Sequence, residues 1–239
     1  MNRLTLNAAG IALACFLALA APLAASAPKS VRATYNGFMN GMSIGVISEQ
    51  FESDGTNYRI VSDTKPMGLA AFVQRQPLRF SSTGQVARDG LKPVRFEARR
   101  TAGESPQVAA DFDWGQSQIV LKHHGKTESF ALSAGTQDRL SVMYQFMYLP
   151  PDRLRVLEFA MTNGRKVDRY RYRATPDVEI DTGLGRLKTL HLVKQREPGD
   201  TVTEVWLSPQ HQHLPVKMLI VEKDGMRFEQ VIQNLELRD

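Results

Sequence analysis

The chain has 239 residues, 42% of them hydrophobic and 23% charged, with a formal net charge of +5. A chain of this length and balance can bury a sizeable core, which excludes extended disorder, collagen-like repeats and coiled coils. Its single cysteine excludes a disulfide framework and any multi-cysteine zinc site.

Residues 1–26 read as a secretory leader. Arg3 gives a positive start, residues 11–19 are unbroken apolar, and small residues follow. Ala24-Ala25-Ser26 fits a small-x-small site with the cut before Ala27. Leu13-Ala14-Cys15 resembles the end of a lipobox, but Ala12 stands where leucine is preferred, so a soluble exported chain is expected rather than a lipoprotein. No later segment has about 18 consecutive apolar residues, so the mature chain is not expected to span a membrane. These features place it in the periplasm, with residues 27–239 as a single antiparallel β domain.

Turn pairs recur from there on: Asp54-Gly55, Asp89-Gly90, His124-Gly125, Asn163-Gly164, Gly199-Asp200 and Asp224-Gly225. Between them lie runs rich in β-branched and aromatic residues, over 31–39, 42–52, 57–64, 94–99, 118–122, 126–132, 153–161, 166–174, 186–196, 202–207, 216–222 and 226–237. About a dozen strands with connections too short for crossover helices predict a mostly β fold. The sheet is read as a large antiparallel meander, strongly curved into a barrel or half-barrel.

Two segments break this pattern. Leu140, Met143, Tyr144 and Met147 fall at helical spacing, which predicts a helix over 138–149 with Asp138 as N-cap and Pro150-Pro151 as its stop. Residues 66–73 are a shorter apolar piece of one or two helical turns. Both segments read either as ordinary core on the sheet or as plugs at the mouth of a β cavity, for which methionine is a suitably adaptable lining.

Period-two alternation puts Tyr170 and Tyr172 on one face of a strand and Arg169, Arg171 and Arg173 on the other. The stretch 153–173 holds seven basic and two acidic residues, either a solvated face or a patch for anions. In an exported chain those anions are lipid headgroups or other envelope components rather than nucleic acid.

Catalytic patterns are sparse. Gly41-Met42-Ser43-Ile44-Gly45 matches the nucleophile-elbow pattern by letter, but a strand follows where that motif needs a helix. His211 and His213 sit in a loop framed by Pro209 and Pro215 without an evident third ligand, so no metal site is expected. No Walker loop, dinucleotide fingerprint or EF-hand appears, and no cofactor is expected.

Trp206-Leu207-Ser208-Pro209, then Leu214-Pro215-Val216, Asp224-Gly225 and Glu229-Gln230, resemble the closing motifs of a family of exported Gram-negative proteins, domain of unknown function number three thousand one hundred and eight. Residues 35–45, Asp138-Arg139-Leu140-Ser141 and residues 178–185 agree with it, so the resemblance covers essentially the whole mature chain. It implies a fold and a compartment and carries no catalytic residues. At the level of architecture, a long antiparallel sheet with two helical pieces also looks like the lipoprotein-carrier half-barrels.

The expectation is therefore a non-enzymatic protein that binds an apolar or lipid-like ligand, or a lipidated partner, in a β cavity. Met143, Tyr144, Met147, Tyr170, Tyr172 and Trp206 are its candidate lining, with Arg169, Arg171 and Arg173 facing the anionic end. Two alternatives stay open. One is a structural or interaction module of the cell envelope with a filled core and no pocket above about 300 Å³. The other is a hydrolase using Ser43.

Overall fold

The computed structural model describes residues 27–68, 71, 77–100 and 105–239. The leader read over 1–26 lies outside them, as does most of the apolar piece over 66–73.

Fifteen strands among the described residues form one sheet. The first eight are β1 (Ser30–Met39), β2 (Met42–Ser53), β3 (Asn57–Pro66), β4 (Leu78–Ala87), β5 (Gly90–Arg99), β6 (Val108–Asp113), β7 (Gln118–His123) and β8 (Lys126–Ala131). The other seven are β9 (Gln137–Asp138), β10 (Val156–Thr162), β11 (Val167–Thr182), β12 (Gly185–Lys194), β13 (Val202–Ser208), β14 (Leu214–Val221) and β15 (Arg227–Arg238). Twelve of them correspond to the predicted runs, and β4, β6 and β9 are additional.

The spatial order is β8 through β1, then β15 back through β9. Two meanders thus grow away from a central β1–β15 pair, with every ladder antiparallel except the two-residue pairing of β9 with β10. Tight turns set the register. Asn40 and Gly41, at φ 49° and 79°, supply the two positive-φ positions that a hairpin between β1 and β2 demands.

The edge strands β8 and β9 share no ladder. Closure comes from side chains instead: Ser82 Oγ on β4 donates to Asp138 Oδ2 at 2.6 Å, and Gln137 Nε2 donates to the Leu91 carbonyl on β5 at 2.8 Å. Strands β6 to β8 continue past this seam, and β8 is exposed along its whole length.

The helix is shorter than its spacing predicts. Asp138 lies extended in β9, opposite Thr162, so helical turns begin only at α1 (Ser141–Gln145) and continue as a 3₁₀ turn over Phe146–Tyr148. Asp138 still caps this start, because its Oδ1 accepts the N–H groups of Leu140 at 2.8 Å and Ser141 at 2.9 Å. The helix crosses the interior between β5 and β14, with Tyr144 and Phe146 buried. Gln145 fixes it there: Oε1 accepts from Leu91 N at 2.6 Å and Nε2 donates to the Asp89 carbonyl at 2.8 Å.

Inward residues of both meanders pack around this crossing. Tyr35, Phe51, Tyr58, Ile60, Phe96, Tyr144 and Val216 belong to one apolar cluster. Val142, Phe146, Leu157, Tyr172, Leu192, Val205 and Met218 form a second.

Candidate functional site

Alternation along β2 sends Ile47, Glu49 and Phe51 inward. A carboxylate between two apolar inward positions is costly to bury unless donors meet it. Two do: Ser62 Oγ donates to Oε1 at 3.2 Å and Tyr144 Oη to Oε2 at 3.1 Å. Burial raises the Glu49 pKa. These two hydrogen bonds and the charge of Arg139 oppose that rise without cancelling it.

Cross-strand register aligns Glu49, Ser62 and Phe80 in one row across β2, β3 and β4. Arg139 lies over that row, its Cζ 4.4 Å from the centre of the Phe80 ring. Burial lowers the Arg139 pKa, while Glu49 and Asp138 raise it. A guanidinium starts so high that it stays charged.

Above this floor the interior is hollow. A cavity of about 1170 Å³ is bordered by Arg139, Glu49, Met143, Phe159 and Ile220, and by strand ends and turns at Met39, Asn163, Asp200 and Met226. One wall is an aromatic ladder. Phe159 stacks with Tyr170 at 6.1 Å and with Tyr172 at 5.8 Å, and Lys194 Nζ sits 4.5 Å from the centre of the Tyr170 ring. Charged pairs flank the mouth, Lys166 with Asp168 at 2.6 Å and Lys223 with Asp200 at 3.2 Å.

The structure places the lining candidates differently. Met143, Tyr170 and Tyr172 line the cavity. Tyr144 stands behind it, stacked on Phe51 at 5.1 Å and bonded to Glu49. Met147 packs against the core outside the lining. Trp206 lies on the opposite face of β13 from cavity-lining Val205, stacked on His191 at 4.3 Å with Lys217 Nζ 5.1 Å from its ring centre.

Arg169 and Arg171 border the cavity along β11, but alternation with Tyr170 and Tyr172 sends their side chains to the outer face, together with Arg173. Arg171 is paired there with Glu158 at 2.7 Å. Two further charged residues at the cavity, Glu49 and Arg139, are not among the sequence candidates for the lining, although Arg139 lies in the Asp138-Arg139-Leu140-Ser141 motif. The readable signal for Glu49 was an acid at an inward position between Ile47 and Phe51.

Ser43 stands exposed on β2, opposite Phe38, and the backbone after it continues as strand. His211 Nδ1 bonds Ser208 Oγ at 2.8 Å, and no group of three metal-ligating residues occurs among the described residues. No helix among them is long and apolar enough to cross a membrane.

The family model described as "Protein of unknown function (DUF3108)" matches residues 30–231. No curated protein matches the chain. Among solved structures, the chain is similar to a beta-barrel-like protein of domain of unknown function DUF1849 from Brucella abortus. The TM-score is 0.51 at 11% identity, and the alignment covers 89% of this chain and 99% of that one. That likeness supports a barrel-like architecture.

Proposed function

The chain belongs to the DUF3108 family of proteins of unknown function, and from that premise we propose that it is a non-enzymatic periplasmic protein that holds an apolar, lipid-like ligand inside its barrel. The observation that carries this reading is the cavity of about 1170 Å³ with its methionine and aromatic walls. Binding pockets for small molecules run from about 300 to 1,000 Å³, so this one has room for an extended alkyl chain. It also supports a binding role over a barrel filled by its own side chains.

Each Å² of apolar surface that a ligand covers contributes about 25 cal/mol, less the cost of ordering the chain. Soft walls such as Met143 and Met161 accommodate chains of different length. The periplasmic placement rests on the leader read over residues 1–26.

Native mass spectrometry and organic extraction of the purified protein test this reading. The expected result is a co-purifying amphiphile, or uptake of a fluorescent alkyl probe after stripping. Protein that is empty and takes up no probe would overturn it.

A further inference from the structure

Arg139 and Lys194 stand apart from the paired charges of the cavity: each lies over an aromatic ring, Lys194 over Tyr170 and Arg139 over Phe80 in the Glu49 row. Glu49 has two protein donors, and Asp138 accepts from Ser82, Leu140 and Ser141. The mouth cations Lys166 and Lys223 each have a carboxylate partner. Arg139 has the Phe80 ring beneath it and, among the described residues, no hydrogen bond or ion pair. Stacking on an aromatic face occupies the plane of a guanidinium and leaves its N–H edge unused. That edge belongs to a residue bordering the cavity.

Its depth follows from the strands. The Glu49–Ser62–Phe80 row lies four residues in from Pro66, where β3 ends. Four residues of strand span about 13 Å. An anion reaching Arg139 therefore enters the barrel, and its tail lies against the walls between that row and the mouth.

Two carboxyl groups, Glu49 and Asp138, act on the same guanidinium. They already offset part of its charge, so an added dianion is opposed more strongly than a monoanion. Tyr170 and Arg165 are the remaining charged or titratable groups whose fields reach Arg139.

We propose that Arg139 anchors the single negative charge of an alkyl carboxylate that enters the barrel head first, its chain lying against Met143, Phe159 and Tyr170. This rests on the reading of the cavity as a site for an apolar ligand and adds to it the class and orientation of that ligand. The Phe80 ring lies beneath the guanidinium, and its N–H groups donate two parallel bonds to the carboxylate.

The test uses the purified protein stripped of lipid, with dodecanoate, its methyl ester and dodecyl phosphate as probes. Wild-type protein is expected to bind dodecanoate about tenfold or more tighter than the ester, the factor one charge-assisted pair supplies. It is also expected to prefer dodecanoate to the phosphate. Arg139→Met, checked for its sheet by circular dichroism, is expected to bind dodecanoate no better than the ester. Equal wild-type affinities, a preference that survives in Arg139→Met, or tighter binding of the phosphate would each overturn the anchor while leaving the apolar site standing. Failure of the wild type to bind any of the three would instead sink the underlying cavity reading.

A second measurement follows the bound headgroup. The carboxyl group of bound [1-¹³C]dodecanoate, read by NMR, is expected to stay ionised to lower pH in the wild type than in Arg139→Met. Equal titration in the two proteins would overturn the contact with Arg139.

Discussion

Ser82 and Asp138, 56 residues apart in sequence, share a 2.6 Å hydrogen bond that ties β4 to the strand at one edge of the same sheet. The sheet is closed here by side chains rather than by a ladder, so the seam depends on few atoms. Ser82→Ala removes one buried donor and is expected to cost about 1–3 kcal/mol. Asp138→Ala additionally strips the acceptor from two backbone N–H groups and is expected to cost about 2–4 kcal/mol. Asp138→Asn, which keeps Oδ1, is expected to lie nearer wild type. Urea unfolding of the three variants measures the order.

Gly164 sits at the β10–β11 turn with φ 84°, and a Cβ there would lie 2.2 Å from Val108 Cγ1. The turn therefore docks on β6 across the seam. Gly164→Ala combines unfavourable backbone with overpacking and is expected to destabilise by about 2 kcal/mol or more. Thermal unfolding checks it. Trimming the neighbour in Val108→Ala, Gly164→Ala is expected to recover part of the loss relative to the simple sum of the two single changes.

Burial lifts the carboxyl pKa values of Glu49 and Asp138 above the ordinary carboxylate range. The folded protein therefore holds these protons more tightly than the unfolded chain does. The stability they contribute is full below the ordinary range and is lost as pH rises through the raised values. His211 and His213, whose pKa values burial lowers, work in the opposite sense, losing stability as pH falls through their depressed values. Surface acids such as Glu158, held down by Arg171, act only at lower pH. Glu49→Gln isolates one group: between neutral pH and about pH 5, wild-type Tm is expected to rise relative to that of the variant. Parallel Tm profiles would contradict the shift.

Ile220 is on the cavity wall, away from Arg139's row, on β14. Ile220→Glu puts a carboxylate on apolar surface that a ligand must cover. It is expected to weaken binding of an uncharged alkyl probe by about tenfold or more, with an unchanged far-ultraviolet spectrum. Fluorescence titration reads the affinity.

The parts of the fold that sequence could carry are those set by neighbours along the chain. Alternation and paired turn residues marked β1, β2 and β3 to within a residue or two. Strand β4 escaped because its inward positions include Ser82 and Gly84, which meet Asp138 and Tyr58 rather than an apolar layer. Strand β6 escaped because Ala109 and Ala110 bury little area each, and β9 because two residues have no period. At the cavity, the Tyr170–Tyr172 face was readable from a single strand. Glu49 and Arg139 matter only through partners brought from other strands, such as Tyr144, 95 residues from Glu49. Nothing local to either residue encodes such meetings.

The pairing of β1 with β15 has one more consequence. Asn40 and Arg227, bonded side chain to backbone at their junction, are 187 residues apart. A nascent polypeptide must therefore be synthesised through that whole interval before its earliest ribbon finds this neighbour. Until then two half-built sheets carry raw edges open to wrong partners. Emergence of β15 is the moment at which this architecture first becomes attainable.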